Sequence, residues 1–252
     1  MDTPLNGLAG ALRAALGDDW LRLHPDIRAR FTLAPGLTRQ AFTGTMRHIH
    51  RSPAGWLIAK LIAFVRILPS ARTRDVPFEF NLSPAANAGW VKERLYHFAP
   101  DNGGRFEFRS IMRIANQGGR VELVEQFPFG LGMKIKLGAE GENGDTLYFR
   151  DDGYFLRIGK ENARGGGWRL PLPRWLTVGR FTLAHKNIDR ENFTVEISLD
   201  HPLLGRLFYQ YGAFSESTVY AAASAPAEAA VVSAPPARCP GKARTAASGM
   251  AY

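Results

Sequence analysis

Glu125 shares the Val121, Leu123 and Phe127 side of a segment in which apolar and polar residues alternate, so its carboxylate is expected to face a core. Arg94 lies on the side of Trp90, Tyr96 and Phe98, and Ser110 on the side of Phe108 and Met112. A carboxylate desolvated alone would have its pKa raised by units, so Glu125 needs a partner, and Arg94 is the candidate. Such a pair can be a satisfied ion pair inside a sheet, or it can orient a ligand in an apolar pocket, with Trp90, Tyr96 and Ser110 around it. A further alternative is an enzyme, of isomerase or hydrolase type, with Glu125 as general acid or base.

Other chemistry is sparse. The six histidines form no metal-ligand set, since His48 and His50 at i, i+2 would need a distant third ligand, and His201 before Pro202 suits a turn hydrogen bond. There is no G-x-S-x-G, H-E-x-x-H or Walker loop, and Gly165-Gly166-Gly167 runs into Trp168 rather than a helix start, so no cofactor is expected. The single cysteine, Cys239, cannot form an internal disulfide and excludes a thiolate zinc site.

The elements that must position these residues fall into two parts. Leu5 to Phe31 reads as helix, with Leu8, Leu12, Ala15, Leu16 and Leu23 at helical spacing and Gly17 and Pro25 marking breaks. A strand follows over Gln40 to His48, and Ser52-Pro53 then caps a second helix to Leu68 whose apolar residues cover more than one face. From Val76 onward the period becomes 2, with strand candidates joined by Gly, Asn and Asp turns at Asn116–Gly119, Glu142–Asp145 and Asp151–Gly153. A meander of about ten strands must curl or close. The expected fold is α+β: a strongly curved antiparallel sheet or partial barrel, lipocalin-like in character, with two N-terminal helices packed against it; a two-sheet sandwich is the alternative. Residues 1–215 are expected to form this single domain, and the Ala/Pro/Ser-rich residues 216–252 a disordered tail.

The chain of 252 residues is 45% hydrophobic with a formal charge of +9, which excludes fibrous or wholly disordered classes and favours anionic contacts. Between Asp26 and Asp75 there are nine basic residues and no acidic one. Arg47, Arg51, Trp56, Lys60 and Arg66 therefore form a candidate contact for an anionic membrane surface. No helix-turn-helix, zinc-finger or RNP-like stretch accompanies the charge, so nucleic acid is not an expected partner. The apolar run Ala54–Pro69 carries Lys60 and Arg66 and is shorter than the ~20 residues needed to cross a bilayer. Met1–Gly10 lacks the basic start of a secretory signal, so the expected location is the cytoplasm, with peripheral contact at the inner membrane face.

The order Trp90-x-x-x-Arg94-x-x-x-Phe98, Phe108-x-Ser110, Leu123-x-Glu125, Leu170-Pro171-Leu172-Pro173-x-Trp175-Leu176, Val195-x-Ile197, His201-Pro202-Leu203-x-Gly205 and Tyr211-Gly212 resembles the bacterial domain of unknown function family 4166 from about Leu16 to Phe214. The resemblance carries no catalytic residue. It implies a domain found alone or joined to saccharopine-dehydrogenase-like and other oxidoreductase domains, and hence a separate oxidoreductase as a partner. The function expected is a binding or accessory one: an apolar pocket for a small hydrophobic or lipid-like molecule, anchored by Arg94 and Glu125.

Overall fold

The computed structural model describes residues 7–32, 37–61, 69, 73–85, 89–100, 104–117, 120–159 and 168–221. Three short helices open it: α1 (Leu8–Leu16), α2 (Asp19–Arg22) and α3 (Pro25–Arg30). They break where Gly17 takes positive φ and where Pro25 begins a new helix under a cap from His24, whose Nδ1 accepts from the Asp26 N–H. β1 (Leu37–Arg51) leads into α4 (Pro53–Leu61), which starts as expected at Ser52, whose hydroxyl accepts from the Gly55 N–H.

Ten further strands follow: β2 (Val76–Pro84), β3 (Trp90–His97), β4 (Arg105–Gln117), β5 (Arg120–Gln126), β6 (Leu131–Glu140), β7 (Thr146–Ile158), β8 (Trp168–Leu172), β9 (Arg180–Asn187), β10 (Asn192–His201) and β11 (Gly205–Ala221). The part expected as tail thus begins inside β11, and residues 222–252 lie outside the described residues.

All neighbours are antiparallel. The order is β6-β5-β4-β3-β2-β1-β11-β10-β9-β7-β8, and β6 also pairs with β7. That last pairing joins the two halves of the sheet, so the expected partial barrel is corrected to a closed barrel of ten strands, with β8 added outside the ring. Closure leaves no edge in the ring. Among the described residues β8 pairs only with β7, and it carries Pro171, which cannot donate to a ladder. The expectation of two N-terminal helices holds only in part: α4 follows β1 as expected, but the first helical stretch is three short helices and not one.

The expected hairpin at Asp151–Gly153 is absent. β7 runs straight through, pairing with β9 over Thr146–Arg150 and with β8 over Tyr154–Ile158. Asp151 marks the switch, its Oδ1 accepting from the Phe181 N–H at 2.6 Å as β9 diverges. A register shift between Met46 and His48 likewise turns β1, so that Met46 and Ile49 are both buried.

Leu8, Leu12, Trp20, Leu23 and Ile27 pack into one core cluster with Trp90, Leu123, Ile135 and Leu147 from the barrel strands. α1 and α2 thus lie against β5 and β6, at the end of the barrel that contains the β6–β7 turn. Gly144 in that turn has φ +63, and its carbonyl accepts from the His24 N–H. Burying those apolar faces is what holds such short helices in place, since none would persist alone in water.

Arg30 latches this assembly. Its guanidinium is buried, donates to Asn187 Oδ1 and to the Asp189 and Arg190 carbonyls at 3.0–3.1 Å, and reaches His185 Nε2 at 3.0 Å. His185 is therefore the acceptor, with its proton on Nδ1. Burial, reinforced by the Arg30 charge, pushes its pKa down to about 3. The unfolded chain takes up this proton below about 6.5 and the native one does not, so stability is expected to fall as pH drops from 6.5 towards 3. Thermal melting of His185→Gln across that window should show a flatter profile than wild type, and an unchanged slope would refute the assignment.

Candidate functional site

Alternation on three adjacent strands assembles a polar cluster inside the barrel. Lys92 and Arg94 are i, i+2 on β3, Ser110 stands opposite Lys92 on β4, and Glu125 on β5 is paired with Met112, the next inward residue of β4. Glu125 is 2% exposed. Its Oε2 accepts from Lys92 Nζ at 2.7 Å, and its Oε1 accepts from Arg94 Nη2 at 3.0 Å and from the Ser110 hydroxyl at 2.5 Å. Arg94 Nη1 donates to the Ser110 oxygen at 3.1 Å, and the guanidinium lies 4.9 Å from the Phe108 ring centre.

Burial alone would raise the Glu125 pKa. The charges of Lys92 and Arg94, with hydrogen bonds from Lys92 and Ser110, outweigh it and hold the group down to about 2. Burial pushes Lys92 down to about 8 against the pull of Glu125. Tyr96, one strand position beyond Arg94 on the same face, is pushed up to about 12 by burial and donates to Gln210 Oε1 at 3.0 Å.

Two cavities flank the cluster, of about 100 and 90 Å3. Both touch Arg94, Glu125, Phe181, Ile197 and Gln210. The first extends towards Leu8, Leu12 and Phe31 beneath the helices; the second extends towards Leu131, Val178, Leu199, Phe208 and Pro69 at the opposite end. Phe108, Met133 and Phe193 are buried in the interior and line the cavities without filling them. Among the charged groups lining these spaces, Lys92 and Arg94 face a single anion, Glu125, while His185 is neutral at physiological pH. The interior therefore carries a surplus positive charge below about pH 8.

The structure brings Arg94, Ser110 and Glu125 together, and Tyr96 lines the second cavity. Trp90 is buried in the core cluster that includes α1 and does not contribute to the lining of either cavity. Lys92 and Gln210 are the residues that sequence reasoning missed. Lys92 has the same parity as Arg94 and could have been found by carrying the alternation one step back. Gln210 has no local signal, because its partner Tyr96 is 114 residues away.

The surface candidates separate. Arg51 is buried and donates to the Pro69 carbonyl at 3.2 Å, which removes it from any surface contact; the β1 register shift is the cause. Arg47 is exposed and paired with Asp75 at 3.2 Å, and Lys60 lies 5.1 Å from the ring centre of half-exposed Trp56. Arg66 lies outside the described residues. His201 makes its expected turn bond, Nδ1 accepting from the Leu203 N–H at 3.2 Å.

A ring of ten antiparallel strands with an ion cluster between two cavities defines a closed β-barrel with a polar centre. The chain belongs to the family described as domain of unknown function DUF4166, which it matches over residues 23–214. It is similar to the uncharacterized protein YndH of Bacillus subtilis (strain 168), at 27% identity over 77% of this chain and 91% of that protein. A looser likeness is to the crystal structure of Rv2717c from M. tuberculosis, with a TM-score of 0.37 and 14% identity over 78% of this chain and 99% of that one. Of the residues that carry the resemblance, Arg94, Ser110 and Glu125 form the cluster, Leu170–Leu176 lie on β8 and the turn after it, and His201–Gly205 form the β10–β11 turn. Gly212 of the Tyr-Gly pair leaves the space that the Met46 sulfur and the Phe214 ring occupy.

Proposed function

We propose that the barrel binds a small amphipathic anion, with its apolar body in the cavities and its acidic group on Lys92 and Arg94. The observation that carries this reading is the buried excess of cations over anions between two apolar spaces. A buried charge without a counter-charge is unfavourable, and an anionic ligand would supply one. Glu125 then acts as a fixed partner that holds both cations in place. Its low pKa disfavours the enzyme alternative, since a carboxylate ionised down to about pH 2 is neither a proton donor near neutrality nor a strong base.

Lys92 makes the reading testable. A fluorescent long-chain carboxylate should bind with constant affinity up to about pH 8 and more weakly above it, as the ammonium is lost. Lys92→Met should abolish that dependence and weaken binding at neutral pH by roughly tenfold, the loss of one charge-assisted hydrogen bond. A pH profile unchanged by Lys92→Met would count against the proposal.

A further inference from the structure

Opposite α1–α3, the barrel ends in the β5–β6 turn, the Ile158–Trp168 end of the β7–β8 ladder, the Arg174–Leu176 turn, the β10–β11 turn and α4. The second cavity extends to this end, where it meets Val178, Phe208 and Pro69. Among the described residues, the exposed large apolar side chains gather here, with Leu21 and Ile188 the exceptions. Ile158 pairs directly with Trp168 at the end of the β7–β8 ladder and Leu170 follows on the same face; Trp175 and Leu203 are exposed in the two turns. Trp168 is 86% exposed and Leu203 82%. Single exposed apolar residues need no explanation, but a ring of them at the end of a cavity does.

The charges among them are mostly basic, with Asp200 beside Arg180 in the β9–β10 pair. The described residues from Gly153 through Arg180 include four arginines and no acid, and Arg174 and Arg180 are exposed. Arg206, after Leu203 and Leu204, is paired with Asp200 at 3.0 Å, and Lys60 beside Trp56 belongs to α4, whose Gly55 packs on the Leu207 backbone.

We infer that this rim docks on an anionic lipid bilayer. Trp168, Trp175 and Leu203 enter the headgroup region, Leu170 follows nearer the barrel, and Arg174 and Arg180 meet lipid phosphates. The inference rests on the ligand-binding reading above, because an amphiphile poorly soluble in water exchanges most readily where the cavity meets the membrane. The exposed tryptophans, with Arg174 and Arg180 exposed in the same segment, favour an anionic lipid surface over a protein partner.

The test is co-flotation of the full chain with vesicles of phosphatidylcholine alone or mixed with phosphatidylglycerol, at low and high salt. Recovery is expected only with the anionic vesicles, and less of it at high salt. Arg174→Ala/Arg180→Ala should weaken it roughly thirtyfold, each basic residue near an anionic surface contributing about fivefold. Trp168→Ser/Trp175→Ser should abolish it, with thermal melting as the check that both variants fold. Equal recovery with neutral vesicles, recovery with neither, or undiminished recovery of both variants overturns the inference; the last two outcomes would leave the patch to a protein partner. Binding of the fluorescent carboxylate in vesicle-free buffer is read in parallel. If the probe binds and flotation fails, the rim is wrong and the cavity stands. If the probe fails to bind, the ligand reading falls, and the exchange role of the rim with it.

Discussion

Glu125→Ala is expected to lower stability by about 3–5 kcal/mol in urea titration, because it leaves Lys92 and Arg94 buried with no counter-charge. Removing a carboxylate that accepts three hydrogen bonds also strands the Ser110 hydroxyl. The same substitution should tighten the binding of a long-chain carboxylate and let that ligand restore more melting temperature than it adds to wild type. A purely structural ion cluster would show the first effect without the second, so a destabilised Glu125→Ala indifferent to anions would place the cluster in the scaffold and not in a binding site. Glu125→Gln, which keeps an acceptor for Ser110, should be milder in stability.

Arg30→Ala carries the other large effect, again about 3–5 kcal/mol. It removes four hydrogen-bonding contacts and a guanidinium stacked 4.6 Å from the Phe193 ring centre, and it leaves two carbonyls and His185 without their donor. Since Arg30 makes most of the hydrogen bonds from α3 to β9 and the β9–β10 turn, with Asp26 adding only a longer contact to Asn187 at 3.4 Å, the first helices should loosen from the barrel end. Hydrogen exchange should then rise in α1–α3 before it rises in the strands. Uniform exchange across the whole molecule would show that Arg30 supports the fold globally instead of latching its lid.

What the sequence revealed of this site follows from the physics of strands. Period-2 alternation fixes the face of each residue without knowledge of the partner strand, so Arg94, Ser110 and Glu125 could be placed inward from local pattern alone. Lys92 was readable by the same parity. Closure was not, because it depends on β6 meeting β7 beside the switch at Asp151, and Asp151-Asp152-Gly153 has the composition of a turn whether or not the chain reverses there. Arg51 was misplaced for a related reason: an irregularity of register between Met46 and His48 changes which residues face inward, and no residue in that segment announces it. Arg30 and His185, 155 residues apart, meet only through the helix-to-barrel packing.

The central claim is that the barrel interior recognises an acidic head on an apolar body. Titration calorimetry of the purified protein with a long-chain fatty acid and with the matched alcohol tests it directly. The account predicts that the acid binds at least about tenfold more tightly, one charge-assisted contact's worth, and that Arg94→Met or Lys92→Met erases the difference. Equal affinity for acid and alcohol, or no heat of binding with either, would contradict it.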